Sequence, residues 1–299
     1  MSHYDHIIHS AVTIMTPLLL AATGGLFTEL AGMLNIALEG MLLISAFTAV
    51  TAVYYTGSVV IGIAAAIISS MILAGLLASV TLRLKSNVFI TGLAANLFAA
   101  GITVVLSHYF FATRGVVVLK NAHRLTLFDI PVIENIPVLS DIFSGHSFYV
   151  YLSWLLLFIA AIVIYKTPFG YRLRACGRHS QALVSLGLNP DLYRYIAFLI
   201  SGFACGIGGS FLSLNLGVFV PNMSSGKGWI ALVVIFLGSR KPQNIIAAAF
   251  VFGLIDSFSN YAQGLLNIPA DFILAIPYIF TLLMMIGVSI HEKMKNKVM

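Results

Sequence analysis

Charge is what this sequence has least of: Lys, Arg, Asp and Glu make up 9% of 299 residues, while 60% are hydrophobic. Soluble domains carry about a quarter charged residues. The deficit excludes a water-soluble globular protein, and the mean hydropathy of +1.00 points to a polytopic membrane protein. Cysteine is nearly absent. Cys176, in a basic loop, and Cys205, in an apolar segment, give no disulfide framework. Catalytic motifs are missing as well. SSGKGW (224–229) has a Gly-Lys pair, but it lacks the first glycine and the following hydroxyl of a G-x-x-x-x-G-K-[ST] phosphate loop. There is no H-E-x-x-H, no paired C-x-x-C and no G-x-S-x-G. The chain therefore does not hydrolyse ATP by itself, and no catalytic residue, metal site or cofactor is assigned to it. The start, MSHYDHIIHS, has no Lys or Arg and does not read as a cleaved secretory signal. Its His3, His6 and His9 lie three apart; they read as a polar, headgroup-level terminus rather than a metal site. The formal net charge of +6 reports membrane topology here, not nucleic acid.

What is present is a succession of apolar stretches, each near the roughly 20 residues a spanning helix needs. They fall at about 7–27, 33–55, 58–82, 87–110, 148–165, 194–214, 244–262 and 270–290. A further stretch, WIALVVIFLG (229–238), is too short to cross alone and reads as a half-helix or a re-entrant piece. The fold class expected is all-α: one transmembrane domain over 1–299, a helical bundle of about 8–10 spans with broken or re-entrant helices.

The longest polar interruption after the middle of the chain is KTPFGYRLRACGRHSQALVSLGLNPDLYR, 166–194. Lys166, Arg172, Arg174, Arg178 and Arg194 there face one acid, Asp191. Ser180 is a candidate N-cap for a short helix that Gly187 stops, with Pro190 just beyond. If this loop is cytoplasmic, Arg83, Lys85, Arg240, Lys241 and the tail Lys293, Lys295 and Lys297 share its side. Arg114, Lys120, Arg124 and Lys227 then fall outside, balanced by Asp129, Glu134 and Asp141. That partition obeys the positive-inside rule and places the N-terminus outside and the C-terminus inside. The main outer loop, 111–147, is either a docking face for an extracytoplasmic protein or a plain connector.

Polar groups within the spans are costly. A carboxylate near the bilayer centre costs at least about 2.5–3.5 kcal/mol, so Glu39 and Asp256 each need a partner or a watery cavity. They line a solute route or act as struts between helices. Asn35, Asn96, Asn215 and Asn260 share those two readings, as inter-helix bonds or as contacts to a polar substrate. Gly24-Gly25 and the run SGFACGIGG (201–209) either let helices pack closely or break them. Beside Glu29 and Gly32, the turn between the first two spans is expected to be irregular.

The run FTELAGMLNIALEGMLLISAF (27–47) resembles the N-terminal signature of permease subunits of ATP-binding-cassette (ABC) importers. The branch is the nucleoside type, related to the branched-chain amino-acid and simple-sugar permeases. Its acid–x–x–G–x–x–N–I–x–x–E–G pattern is reproduced by Glu29, Gly32, Asn35, Ile36, Glu39 and Gly40. SNVFITGLAANLFAAGIT (86–103), with Gly92 and Asn96, is similar to a second block. A third runs through FGYRLRACGRHSQALVSLGLN (169–189), SGFACGIGGSFLSL (201–214) and GKGWIALVVIFLG (226–238) to Pro242. One departure is Gln181-Ala182, where the family usually has an Ala-Ala pair.

The resemblance implies a half-channel in a bacterial plasma (inner) membrane. A second permease, identical or a sister, would complete the route, surrounded by membrane lipid. Cytoplasmic ATP-binding subunits would hold the ATP and Mg, and an extracytoplasmic binding protein or lipoprotein would deliver the solute. The helix at about 180–187, with Arg174, Arg178, Ser180, Gln181, Ala182 and Gly187, would couple to the ATPase. Asn35, Glu39, Asn96, Asn215, Asp256 and Asn260 are the candidate route residues. The solute expected is a nucleoside, with riboflavin or a simple sugar as alternatives; no buried basic residue favours an anion. The rival reading from another class is an ion-coupled secondary transporter, which would work without an ATPase.

Overall fold

The computed structural model describes residues 3–119, 125–129, 141–265, 275–284 and 286–287. Seven of its helices are long and apolar enough to cross a membrane. In chain order these are α1 (His3–Leu30), α2 (Leu38–Thr56), α3 (Val59–Leu82), α4 (Val88–Phe111), α5 (Phe148–Lys166), α8 (Pro190–Leu216) and α10 (Pro242–Leu265). Three shorter helices lie between them: α6 (Pro168–Arg178), α7 (Ser180–Ser185) and α9 (Lys227–Leu237). Residues 276–284 are helical too. The remainder of the expected last span and the lysine-rich tail lie outside the described residues, as do Lys120, Arg124 and Glu134.

Local chemistry sets the boundaries. Asn87 caps α4 by accepting from Phe89 N and Ile90 N, and Asn189 caps α8 through Asp191 N. Thr167 caps α6, whose first residue is Pro168, a position where the missing N–H costs nothing. Gly57 and Gly217 close α2 and α8 in the left-handed conformation. Two small antiparallel pairs, β1 (Val117–Val118) with β4 (Val218–Phe219) and β2 (Leu127–Phe128) with β3 (His146–Ser147), tie the 111–147 loop to the bundle.

α1 is the axis of the bundle. Of its most apolar stretch 89% is buried, against 17% for α4, which turns Leu97, Val105 and Tyr109 outward. α1 packs against α5, α8, α9 and α10, while α8 also covers α2 and α3. Both glycine runs stay helical and serve close contact. A Cβ on Gly24 would sit 2.9 Å from the Ser201 Cα, and one on Gly206 would sit 2.6 Å from the Ile67 Cα. The breaks fall elsewhere, in 31–37 between α1 and α2 and in 217–226 before α9.

The short apolar stretch proves to be half of a broken span. The chain leaves the β1–β4 pair on the face of the 111–147 loop, runs through the irregular residues 220–226, and becomes helical only from Lys227. α9 rises about 16 Å at 1.5 Å per residue, too little to cross alone. Its far end turns through Gly238–Lys241 into α10, beside the end of α1.

Candidate functional site

Glu39 stands in the first turn of α2, 9% exposed, and its carboxylate closes on the start of α9. Oε1 accepts from Gly226 N at 2.8 Å and Oε2 from Gly228 N at 2.7 Å. The first N–H groups of a helix have no partner within it and carry its positive dipole end, so a carboxylate there neutralises both. Gly228 is required by this contact: a Cβ on it would lie 2.3 Å from Glu39 N. Lys227, between the two donors, reaches Asp256 of α10 at 3.8 Å. The Tyr278 hydroxyl donates to Ser225 O at 2.5 Å. Glu39 and Asp256 are therefore brought together at the head of α9. Lys227, which the sequence assigned to the outer side, instead lies within the bundle opposite Asp256, about 20 Å along α10 from its start.

The other members of the 29–40 pattern each grip a different element. Glu29 Oε1 pairs with Arg240 Nη2 at 2.8 Å, which holds the turn that ends α9. Gly32, at φ +78°, brings its backbone against Gly177 of α6; a Cβ on Gly177 would lie 2.3 Å from Leu30 O. Asn35 accepts from Ala37 N at 3.1 Å in its own turn and donates to Ser201 Oγ of α8 at 2.8 Å. Asn96 of α4 accepts from Gly40 N at 2.8 Å and donates to Ile36 O at 3.0 Å. Glu29 and Glu39 thus hold the two ends of α9, while Asn35 and Asn96 hold the loop that carries them.

Asn215 and Asn260 take no part in this. Asn215 is exposed at the end of α8. Asn260 is exposed and lines a cavity of about 320 Å³ between α1 and α10, with His9, Ser10, Thr13, Ser257 and Tyr261. Nearby, the rings of His9 and His146 stack 4.1 Å apart, and His146 donates from Nε2 to Asp141 O at 3.0 Å. Burial, reinforced by the His9 charge, pulls His146 down from 6.5 to about 4 against the opposing bond to the Asp141 carbonyl.

At the opposite face, α6 and α7 meet at a single residue, His179, which occupies the N-cap position of α7 without a side-chain cap bond. Ser180 is therefore not the cap: it is the first helical residue. The junction is so short that His179 N still bonds to Ala175 O in α6. Leu183 anchors α7 in the core, and Gln181, Ala182, Val184 and Ser185 are exposed. Gly187, at φ +75°, lets Leu188 N return to Leu183 O at 2.9 Å. Arg174 lies over the rings of Tyr171 and Tyr165, at 5.0 and 5.3 Å. Arg178 is exposed one turn further on.

Residues 7–289 match the family model described as the branched-chain amino acid transport system permease component. The chain belongs to that permease family. This permease is 31% identical over 292 residues to the guanosine ABC transporter permease protein NupQ of Bacillus subtilis, covering 94% of this chain and 91% of NupQ. It is 29% identical over 290 residues to the nucleoside ABC transporter permease protein NupC of Lactococcus lactis, covering 93% and 90%. Among solved structures, a metal-chelate type ABC transporter in an inward-facing conformation shares the fold: TM-score 0.55 at 15% identity, over 94% of this chain and 85% of that one. It is a multi-pass membrane permease.

Sequence reasoning missed Lys227, Gly226, Gly228, Ser201 and Arg240. The signal for three of them was in view: Gly226, Lys227 and Gly228 form the Gly-Lys-Gly of the failed phosphate-loop match. The glycines serve as bare backbone donors to a carboxylate.

Proposed function

We propose that this permease is the membrane subunit of an ABC importer for nucleosides. A second permease forms the other half of the route, and separate cytoplasmic subunits bind ATP and Mg and drive it. The observation that carries the reading is the end-to-end likeness to NupQ and NupC, at 31% and 29% identity. An extracytoplasmic binding protein delivers the solute to the face of the outer loop. The face with α6 and α7 is cytoplasmic in the bacterial inner membrane. α7, with Gln181, Ala182 and Val184 exposed, is the part offered to the ATPase.

The charge balance in the bundle supports a neutral solute. The positive end of α9 is occupied by Glu39, and Lys227 is paired with Asp256, so among the described residues around the head of α9 no charge is left for an ionic substrate. Transmission to α9 follows the contacts: α7 continues from α6, α6 lies backbone to backbone on 30–32, and Glu29 and Glu39 on either side of that loop hold α9. The test is uptake by the permease reconstituted with its ATPases and binding protein. Guanosine or adenosine is taken up only with ATP. Uptake of riboflavin or glucose in preference to any nucleoside overturns the substrate, and uptake by the lone chain on an ion gradient overturns the class.

A further inference from the structure

A cleft of about 560 Å³ opens at the cytoplasmic end of the bundle, between the end of α1, the flank of α6 and the turn from α9 to α10. Its polar wall is built by Arg174 and Arg178 on one side and Ser239, Arg240 and Lys241 on the other, with Glu29 at the back. Four cations face one acid. Glu29 is already committed to Arg240, which leaves Arg174, Arg178 and Lys241 without a compensating acid among the described residues. Neither Arg178 nor Lys241 has an ion pair or side-chain hydrogen bond among the described residues.

Two features make this a site rather than a solvated patch. The Arg174 guanidinium is held over the faces of Tyr165 and Tyr171, which fixes its position before any ligand arrives. Across the cleft, Ser239 and Arg240 both have φ above +50°, a tight turn that brings three consecutive side chains to one wall. The backbone donors of that turn are used internally: Ser239 N bonds to Phe236 O, Arg240 N to Ile235 O and Lys241 N to Gly238 O. A ligand is therefore met by side chains. Tyr165 belongs to the last turn of α5, so the opening lies at the depth of lipid headgroups.

We propose that this cleft binds a phosphate group, either the headgroup phosphate of an anionic phospholipid or a free phosphate. Bound there, it bridges α6 to the turn that ends α9, tying the coupling arm to the half-helix. The inference adds a ligand to the permease and does not depend on which solute is carried.

The test uses the purified permease–ATPase complex in phosphatidylcholine nanodiscs with increasing phosphatidylglycerol. Retained lipid is read by native mass spectrometry, and a parallel titration uses inorganic phosphate. Wild type retains phosphatidylglycerol over phosphatidylcholine. Arg178→Gln with Lys241→Gln weakens retention roughly thirtyfold, about fivefold for each cation. Arg83→Gln with Lys85→Gln, on the same face outside the cleft, changes nothing. Displacement of the lipid by millimolar inorganic phosphate, lost in the cleft variant, identifies free phosphate as the ligand; no displacement identifies the lipid. A cleft variant that melts as wild type and retains both probes as wild type overturns the proposal. So does an equal loss in the control variant.

Discussion

Replacing Glu39 is the sharpest test of the arrangement around α9. In Glu39→Ala, the N–H groups of Gly226 and Gly228 lose their acceptors at 2.8 and 2.7 Å. A buried N–H left unpaired costs about 1–3 kcal/mol, and Gly226 is the more hydrated of the two, so the pair costs about 2–4 kcal/mol. At 1.4 kcal/mol per tenfold, the released state of α9 becomes roughly thirty to seven hundred times more populated. Glu39→Gln keeps one acceptor and loses the charge opposite the helix dipole, and is expected to cost about half as much. Amide hydrogen exchange over residues 226–230 reads the release directly, and ATP-driven uptake by the reconstituted complex reads its consequence. Exchange should accelerate in the order wild type, Gln, Ala, with uptake falling in the same order. An assembled Ala variant with native protection at Gly228 and undiminished uptake would refute the reasoning.

Three further outcomes follow from the same geometry. Gly228→Ala places a Cβ 2.3 Å from Glu39 N, so it should melt earlier and transport poorly; wild-type uptake would show that the two elements separate freely. Asn96→Ala removes the bonds to Gly40 N and Ile36 O, with an expected cost of about 1–2 kcal/mol; thermal unfolding of the complex measures it. His146 has a folded value of about 4, below its unfolded 6.5, so the unfolded state binds more protons between those limits. Stability from this contact is complete above about pH 6.5 and declines as pH falls towards 4. The groups facing it are His9, Thr13 and the Asp141 carbonyl, with Asp129 close by Gly145. Melting at pH 7.5, 6.0 and 4.5 should show a steeper acid decline for wild type than for His146→Gln, and equal declines would exclude the His146 contribution.

The long helices were legible because a bilayer demands about 20 apolar residues whatever their partners, and the half-helix because 229–238 falls short of that length. The 29–40 pattern was legible as a resemblance, and its geometry was not. Glu39 read as a route residue or a strut because its partners are backbone N–H groups 187 and 189 positions away, and backbone carries no letter in a sequence. Asn96 was hidden for the same reason, since both its partners are main-chain atoms. Lys227 was read as a loop charge because charge counting sees only loops between spans, whereas this lysine opens α9 and pairs with Asp256. Ser180 had the right chemistry for a cap, but its predecessor took the position when α6 and α7 abutted.

The meeting of Gly32 with Gly177 has a mechanical consequence. A side chain wedged between two elements can hop between rotamers and swallow a displacement of an ångström or so. Here α-carbon lies against α-carbon, 3.0 Å from where a Cβ would stand, and nothing in the joint can fold away. A push on α6 is handed over with no lost motion, as through a metal-to-metal bearing, and any residue bulkier than glycine would jam it.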